Sequence, residues 1–120
     1  METAFKRIDT VFLRVKYFDE SIKWYSRVLG FQVRWKDEKG GYAALEVGET
    51  PLTLVRMDNP EEAGNQKVSF NFFVSDIDAA RRQLTENGIE PGETQEDGNV
   101  KWFKFKDLEG NGLEVCSFEE

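Results

Sequence analysis

The side chains best placed for chemistry in this 120-residue chain are two glutamates and a cysteine on alternating apolar stretches. Glu46 lies in "YAALEVGET", and Glu114 and Cys116 lie in "NGLEVCSF". A carboxylate in a cleft can move a proton or hold a cationic group, and two together can hold Mg²⁺ or Mn²⁺. The chain has no histidine. Its absence removes the commonest general base and the commonest metal ligand together. Ser-His-Asp and Cys-His mechanisms are excluded, as are zinc sites of the Cys/His kind, so any metal centre would rest on oxygen ligands.

The elements that must position these groups come in two similar halves. "TVFLRVKYFDESIKWYSRVLGF" from Thr10 lines up with "SFNFFVSDIDAARRQLTENGI" from Ser69. "YAALEVGETPLTLV" from Tyr42 lines up with "WFKFKDLEGNGLEVC" from Trp102, which sets Leu52-Thr53-Leu54 on Leu113-Glu114-Val115. The polar stretch "MDNPEEAGNQ", residues 57–66, is the connector. Each half opens with an alternating strand, Thr10 to Val15 or Ser69 to Val74. A helix follows. The first is expected to be capped by Asp19, to carry a stripe of Ile22, Tyr25 and Leu29, and to stop at Gly30. In the second, Ser75 and Asp78 resemble a capping box, Ile77, Ala80 and Leu84 form the stripe, and Gly88 stops it. About three strands complete each half, with "GET" and "EGNG" turning the last hairpins. The expectation is one α+β domain over residues 1–120. Two βαβββ modules, at about 5–57 and 67–118, form a curved mixed sheet around a cleft, with helices on its outer face.

Composition narrows the function. A net charge of −7 with dispersed basic residues disfavours nucleic acid and would favour a cationic small ligand. No apolar run reaches membrane-spanning length, and "METAFKRIDT" has no signal-peptide core. With a single cysteine, these features lead to the expectation of a cytoplasmic protein with no membrane or nucleic-acid partner.

The two-residue period of a strand divides each one into faces. Val11, Leu13 and Val15 are expected under a helix, as are Phe70, Phe72 and Val74. The opposite face carries Thr10, Phe12, Arg14, Tyr42, Thr53, Ser69, Asn71, Phe73, Trp102, Lys104 and Glu114, with Met57 at its edge. Aromatic, small polar and a few charged side chains together describe the wall of a ligand cleft. A second core or a subunit interface is the alternative, and a cleft at a subunit boundary would combine the two.

The repeated βαβββ unit, the opening "IDTVFLRVKYFDESIKWYSRVLGF" and the closing "KDLEGNGLEV" resemble the glyoxalase / bleomycin-resistance / dioxygenase (vicinal oxygen chelate) superfamily over about residues 5–118. The resemblance implies a cup in which metal-dependent members hold a divalent ion with His, Gln or Glu from equivalent strands. Carried over by position, those ligands fall on Thr10, Thr53, Ser69 and Glu114. Only Glu114 keeps a ligand-type side chain, and three neutral hydroxyls lack the charge for tight divalent binding. Neither a metal nor any other cofactor is expected. The resemblance then implies a homodimer that binds a small cationic or aromatic ligand, with Phe31, Trp24 and Trp35 available for an interface. The alternative is a lyase, isomerase or dioxygenase-type enzyme with altered ligands, centred on Glu114 as base. For Glu114 the simpler role is an ion pair with Lys104 or Arg14, for Glu46 a strand-edge position, and for Cys116 an inert half-buried thiol.

Overall fold

The computed structural model describes residues 2–64 and 66–119. The first module contains β1 (Val11–Val15), α1 (Phe18–Trp24), a π-helical turn (Tyr25–Leu29), β2 (Val33–Asp37), β3 (Tyr42–Leu45) and β4 (Leu52–Arg56). A single 3₁₀ turn, Pro60–Glu62, lies in the connector. The second module contains β5 (Phe72–Phe73), α2 (Ile77–Glu86), β6 (Gln95–Asp97), β7 (Val100–Lys106) and β8 (Gly112–Ser117). The doubled βαβββ order is therefore present. The hydrogen bonding, however, divides the expected single sheet into two of four strands, ordered β1-β4-β3-β2 and β5-β8-β7-β6. In each, the first strand runs parallel to the last and the other neighbours are antiparallel.

One face of each sheet is covered by its helix. Leu13, Val15, Leu45, Leu52 and Leu54 pack with Ile22, Tyr25 and Val28, while Phe103, Phe105, Leu113 and Val115 pack with Ile77 and Leu84. These belong to one continuous core, and a fully buried leucine such as Leu54 contributes about 1.5–3 kcal/mol by leaving water. Met57, expected on the open face, is buried just beyond β4, where its N–H donates to the Val15 carbonyl. Trp24 is also core and so is not free for an interface, while half-buried Phe31 packs against Phe72.

The helix starts depart from expectation and the stops do not. Gly30 and Gly88 do take the left-handed conformation (φ 79° at both), and Gly30 terminates the π turn. Asp19 sits inside the first turn of α1, with Tyr17 at the cap position making no side-chain capping bond. The acceptor comes from the other module: Glu109 takes the N–H groups of Lys16 and Tyr17 at 2.7 and 2.6 Å and the Ser21 hydroxyl at 3.0 Å. In α2 the cap is Asp76, accepting from Asp78 and Ala79, so Ser75 plays no capping part.

Glu109 belongs to a buried polar joint. The Tyr25 hydroxyl donates to Asp107 at 2.6 Å, and Asn111 donates to the same carboxylate through its amide and its backbone N–H, both at 2.9 Å. Gln66 links Asn111 to the β1 backbone at Arg14. Burial, with Asp107 alongside, pushes the Tyr25 hydroxyl far above its ordinary pKa, so it remains a donor. The "DLEGN" stretch thus joins the modules rather than serving the open face.

Candidate functional site

The helix-free faces of the two sheets carry the residues predicted from alternation. On the first sheet the ladder register sets Phe12 beside Thr53 and Thr53 beside Ala44, and aligns Arg14, Val55 and Tyr42 in the next row. Phe12 is 61% exposed and Tyr42 40%. Trp35, opposite Ala44, is 50% exposed on the same face. Arg14 is exposed and its guanidinium forms no ion pair among the described residues.

Thr10 and Thr53 are brought together. Their hydroxyls share a hydrogen bond of 2.7 Å, and Thr10 reaches the Pro51 carbonyl at 2.9 Å. Thr53 is buried, which leaves the pair satisfied by itself and by backbone.

On the second sheet, Ser69, Asn71, Lys104 and Glu114 line one cavity of about 560 Å³, joined by Gln66 and Lys67. Its origin is local. The strand expected over Ser69 to Val74 pairs with β8 only at Phe72 and Phe73, so Ser69 to Asn71 run free of the ladder beside Gly112 and Glu114. An asparagine and a serine next to a glycine give the pairing little side-chain contact to hold it. Lys104 lies directly across the ladder from Glu114, yet the two form no ion pair, which corrects the simpler role expected for that carboxylate. Phe73 stacks at a tilt on Phe118 (4.8 Å between ring centres), and half-buried Trp102 pairs with Cys116. Burial, and secondarily Glu114, raises the Cys116 thiol pKa, which favours the protonated form.

The structure therefore collects the candidates in two groups. Thr10 and Thr53 meet on one sheet, Ser69, Asn71, Lys104 and Glu114 on the other, and among the described residues the polar cavity takes none from before Gln66. Glu46 stands apart, gripped by Arg34 through two bonds of 2.6 and 2.8 Å that hold its carboxyl below the usual range. Among the described residues, no three acidic or cysteine side chains converge as metal ligands. The donor set at the four expected ligand positions is three hydroxyls and one carboxylate, and two of the hydroxyls are spent on each other. This set does not fit a tightly held divalent cation. Alternation could not identify Gln66 and Lys67, because they precede the strand and reach the cavity only through its failure to pair.

A model of the Glyoxalase/Bleomycin resistance protein/Dioxygenase superfamily matches residues 7–115. The uncharacterized protein YraH of Bacillus subtilis is 26% identical over 118 residues, covering 86% of this chain and 91% of that protein. Among solved structures, TnmS3, an antibiotic binding protein from Streptomyces sp. CB03234, superposes with a TM-score of 0.82 at 16% identity, covering 98% of this chain and all of that one. Lactoylglutathione lyase from Agrobacterium tumefaciens gives 0.74 at 18% identity over 96% of both chains. The same fold thus serves a binder and an enzyme, and only the site can separate them. Among the described residues no helix is long and apolar enough to cross a membrane.

Proposed function

This chain belongs to the Glyoxalase/Bleomycin resistance protein/Dioxygenase superfamily, and we propose that within it the protein is a metal-independent binder of a small aromatic molecule, working as a homodimer. The observation that carries this reading is the Thr10–Thr53 hydrogen bond. Two positions that would have to donate to a cation instead satisfy each other with neutral hydroxyls. A ligand can use what remains: the apolar rings of Phe12, Tyr42, Phe73 and Trp102, with polar anchoring from Ser69, Asn71 and Glu114. Exposed aromatic faces on both sheets support burial against a second copy, which would close the open face into a pocket. The ligand's charge is set locally. Although the chain is acidic overall, Lys67 and Lys104 offset Glu114 in the cavity, so an aromatic compound with hydrogen-bonding groups suits it better than a simple cation.

Glu114 keeps one observation in favour of catalysis, since it faces a cavity with no ion-pair partner among the described residues. Calorimetric titration of wild type, Trp102→Ala and Glu114→Gln with a panel of aromatic antibiotics separates the readings. Saturable, unreactive binding that Trp102→Ala weakens supports the binder. Conversion of a compound that Glu114→Gln abolishes, or no binding across the panel, overturns it.

A further inference from the structure

The two modules meet at two equivalent seams that are filled differently. At one seam the β7–β8 loop of the second module meets the start of α1, where Asp107, Glu109 and Asn111 fill the space with hydrogen bonds. At the other, the β3–β4 loop of the first module faces α2 and β5. By the internal repeat, Val47 stands here where Asp107 stands there. Its helix needs no cap from across the seam, because Asp76 supplies one locally. The seam is left open as a cavity of about 510 Å³ on the helix side of the sheets.

We infer that this cavity is a second binding site, for a small uncharged aromatic or alicyclic molecule, that lies on the helix side of the sheets and borders the polar cavity at Phe70 and Asn71. Its walls are Leu29 and Phe31 from the first module and Phe70, Phe72, Ala80 and Leu84 from the second. Among the described residues no acidic or basic side chain lines it, and the polar groups present include Asn71 and Gln83, the latter's side-chain nitrogen donating to the Val28 carbonyl. A charged ligand would therefore lose its hydration without a partner, whereas an uncharged ring gains by covering apolar surface. That surface is available: Leu29, Phe31, Phe70, Phe72 and Ala80 all pack on the core yet remain only half-buried. The volume lies within the range of small-molecule pockets, which run from about 300 to 1,000 Å³.

The test is titration of the full chain with 2-naphthol, followed by ¹H–¹⁵N correlation spectra. Saturable shifts are expected at Leu29, Phe31, Phe70, Phe72 and the Ala80–Leu84 turn. Ala80→Phe fills the cavity and Gln83→Trp blocks its rim without touching the core. Either, once shown folded by its spectrum, should weaken binding by at least about tenfold, a cost of ~1.4 kcal/mol. Trp102→Ala and Glu114→Gln should leave it unchanged, so this site stands or falls independently of the one on the sheet face. Shifts centred on Phe12, Tyr42 and Trp102 would overturn the inference, as would binding indifferent to both blocking variants. Cross-peaks from Phe5 or Ile8 into the cavity of the free protein would also overturn it, by showing that the exposed N-terminal arm is the occupant.

Discussion

Replacing Glu109 with alanine should destabilise the protein far more than a half-buried loop glutamate ordinarily would. Its carboxylate accepts two backbone N–H groups ahead of α1 and the hydroxyl of Ser21, which is itself buried. Loss of one capping acceptor costs about 1 kcal/mol, and a hydrogen bond to an ionised group contributes about 1.5–3 kcal/mol. Lys16 and Tyr17 are exposed, so water replaces part of what their N–H groups lose. The net expectation is a loss of about 2–3 kcal/mol. For a chain of this size that lowers Tm by roughly 8–12 °C. Glu109→Gln, which keeps an acceptor but loses the charge, should fall by about half as much. Urea unfolding followed by circular dichroism at pH 7 measures both variants. Because Glu109 crosses between modules, the alanine variant should also unfold less cooperatively, with a lower denaturant slope. A loss below about 0.5 kcal/mol, the range of unremarkable surface substitutions, would refute the inter-module cap as a source of stability.

Two further outcomes follow from the same contacts. Tyr25→Phe removes the hydroxyl from Asp107 and should cost about 1.5–3 kcal/mol by the same unfolding assay, while Tyr17→Phe, at an exposed ring, should cost almost nothing. On the acid side, Glu46 and Asp19 have folded pKa values held below their ordinary 4.5 and 3.8, chiefly by hydrogen bonds from Arg34 and Lys36. A depressed carboxylate pKa gives stability that is present above the unfolded value and lost as pH falls through the folded one. Tm measured from pH 5 down to pH 2.5 should therefore drop more steeply for wild type than for a Glu46→Gln, Asp19→Asn double variant. Both carboxylates are solvent-exposed, so added salt should narrow the gap between the curves.

The fold was legible in the sequence because its signals are local and repeated. Strand alternation separated buried Leu13 and Val15 from exposed Phe12 and Arg14, and Gly30 and Gly88 marked the two helix ends. The helix caps were misread for opposite reasons. Asp76 lies one residue from the expected Ser75, whereas the α1 cap comes from Glu109, more than 90 residues away in sequence. No pattern within one segment can announce a partner that only tertiary packing supplies. The same alternation placed Glu114 and Lys104 on one face, and the ladder sets them opposite one another. The ion pair expected between them did not follow, because being neighbours in a ladder does not set side-chain direction. The early end of β5 pairing, which opens the polar cavity, was equally hidden: "SFNFFV" reads as one continuous strand, and only the ladder shows where it separates from β8.

The central claim concerns a site that does not depend on a metal. Its most direct test is thermal denaturation of chelator-stripped protein with Mg²⁺, Mn²⁺, Fe²⁺, Ni²⁺ or Zn²⁺ added singly, repeated on Glu114→Gln. A cation that binds only the folded chain must raise its stability by mass action, by about 2.7 kcal/mol at a hundredfold excess over Kd. The Thr10–Thr53 pair predicts no saturable rise with any of the five, in either protein. A saturable rise that disappears in Glu114→Gln would contradict the account and establish a metal site built around that carboxylate.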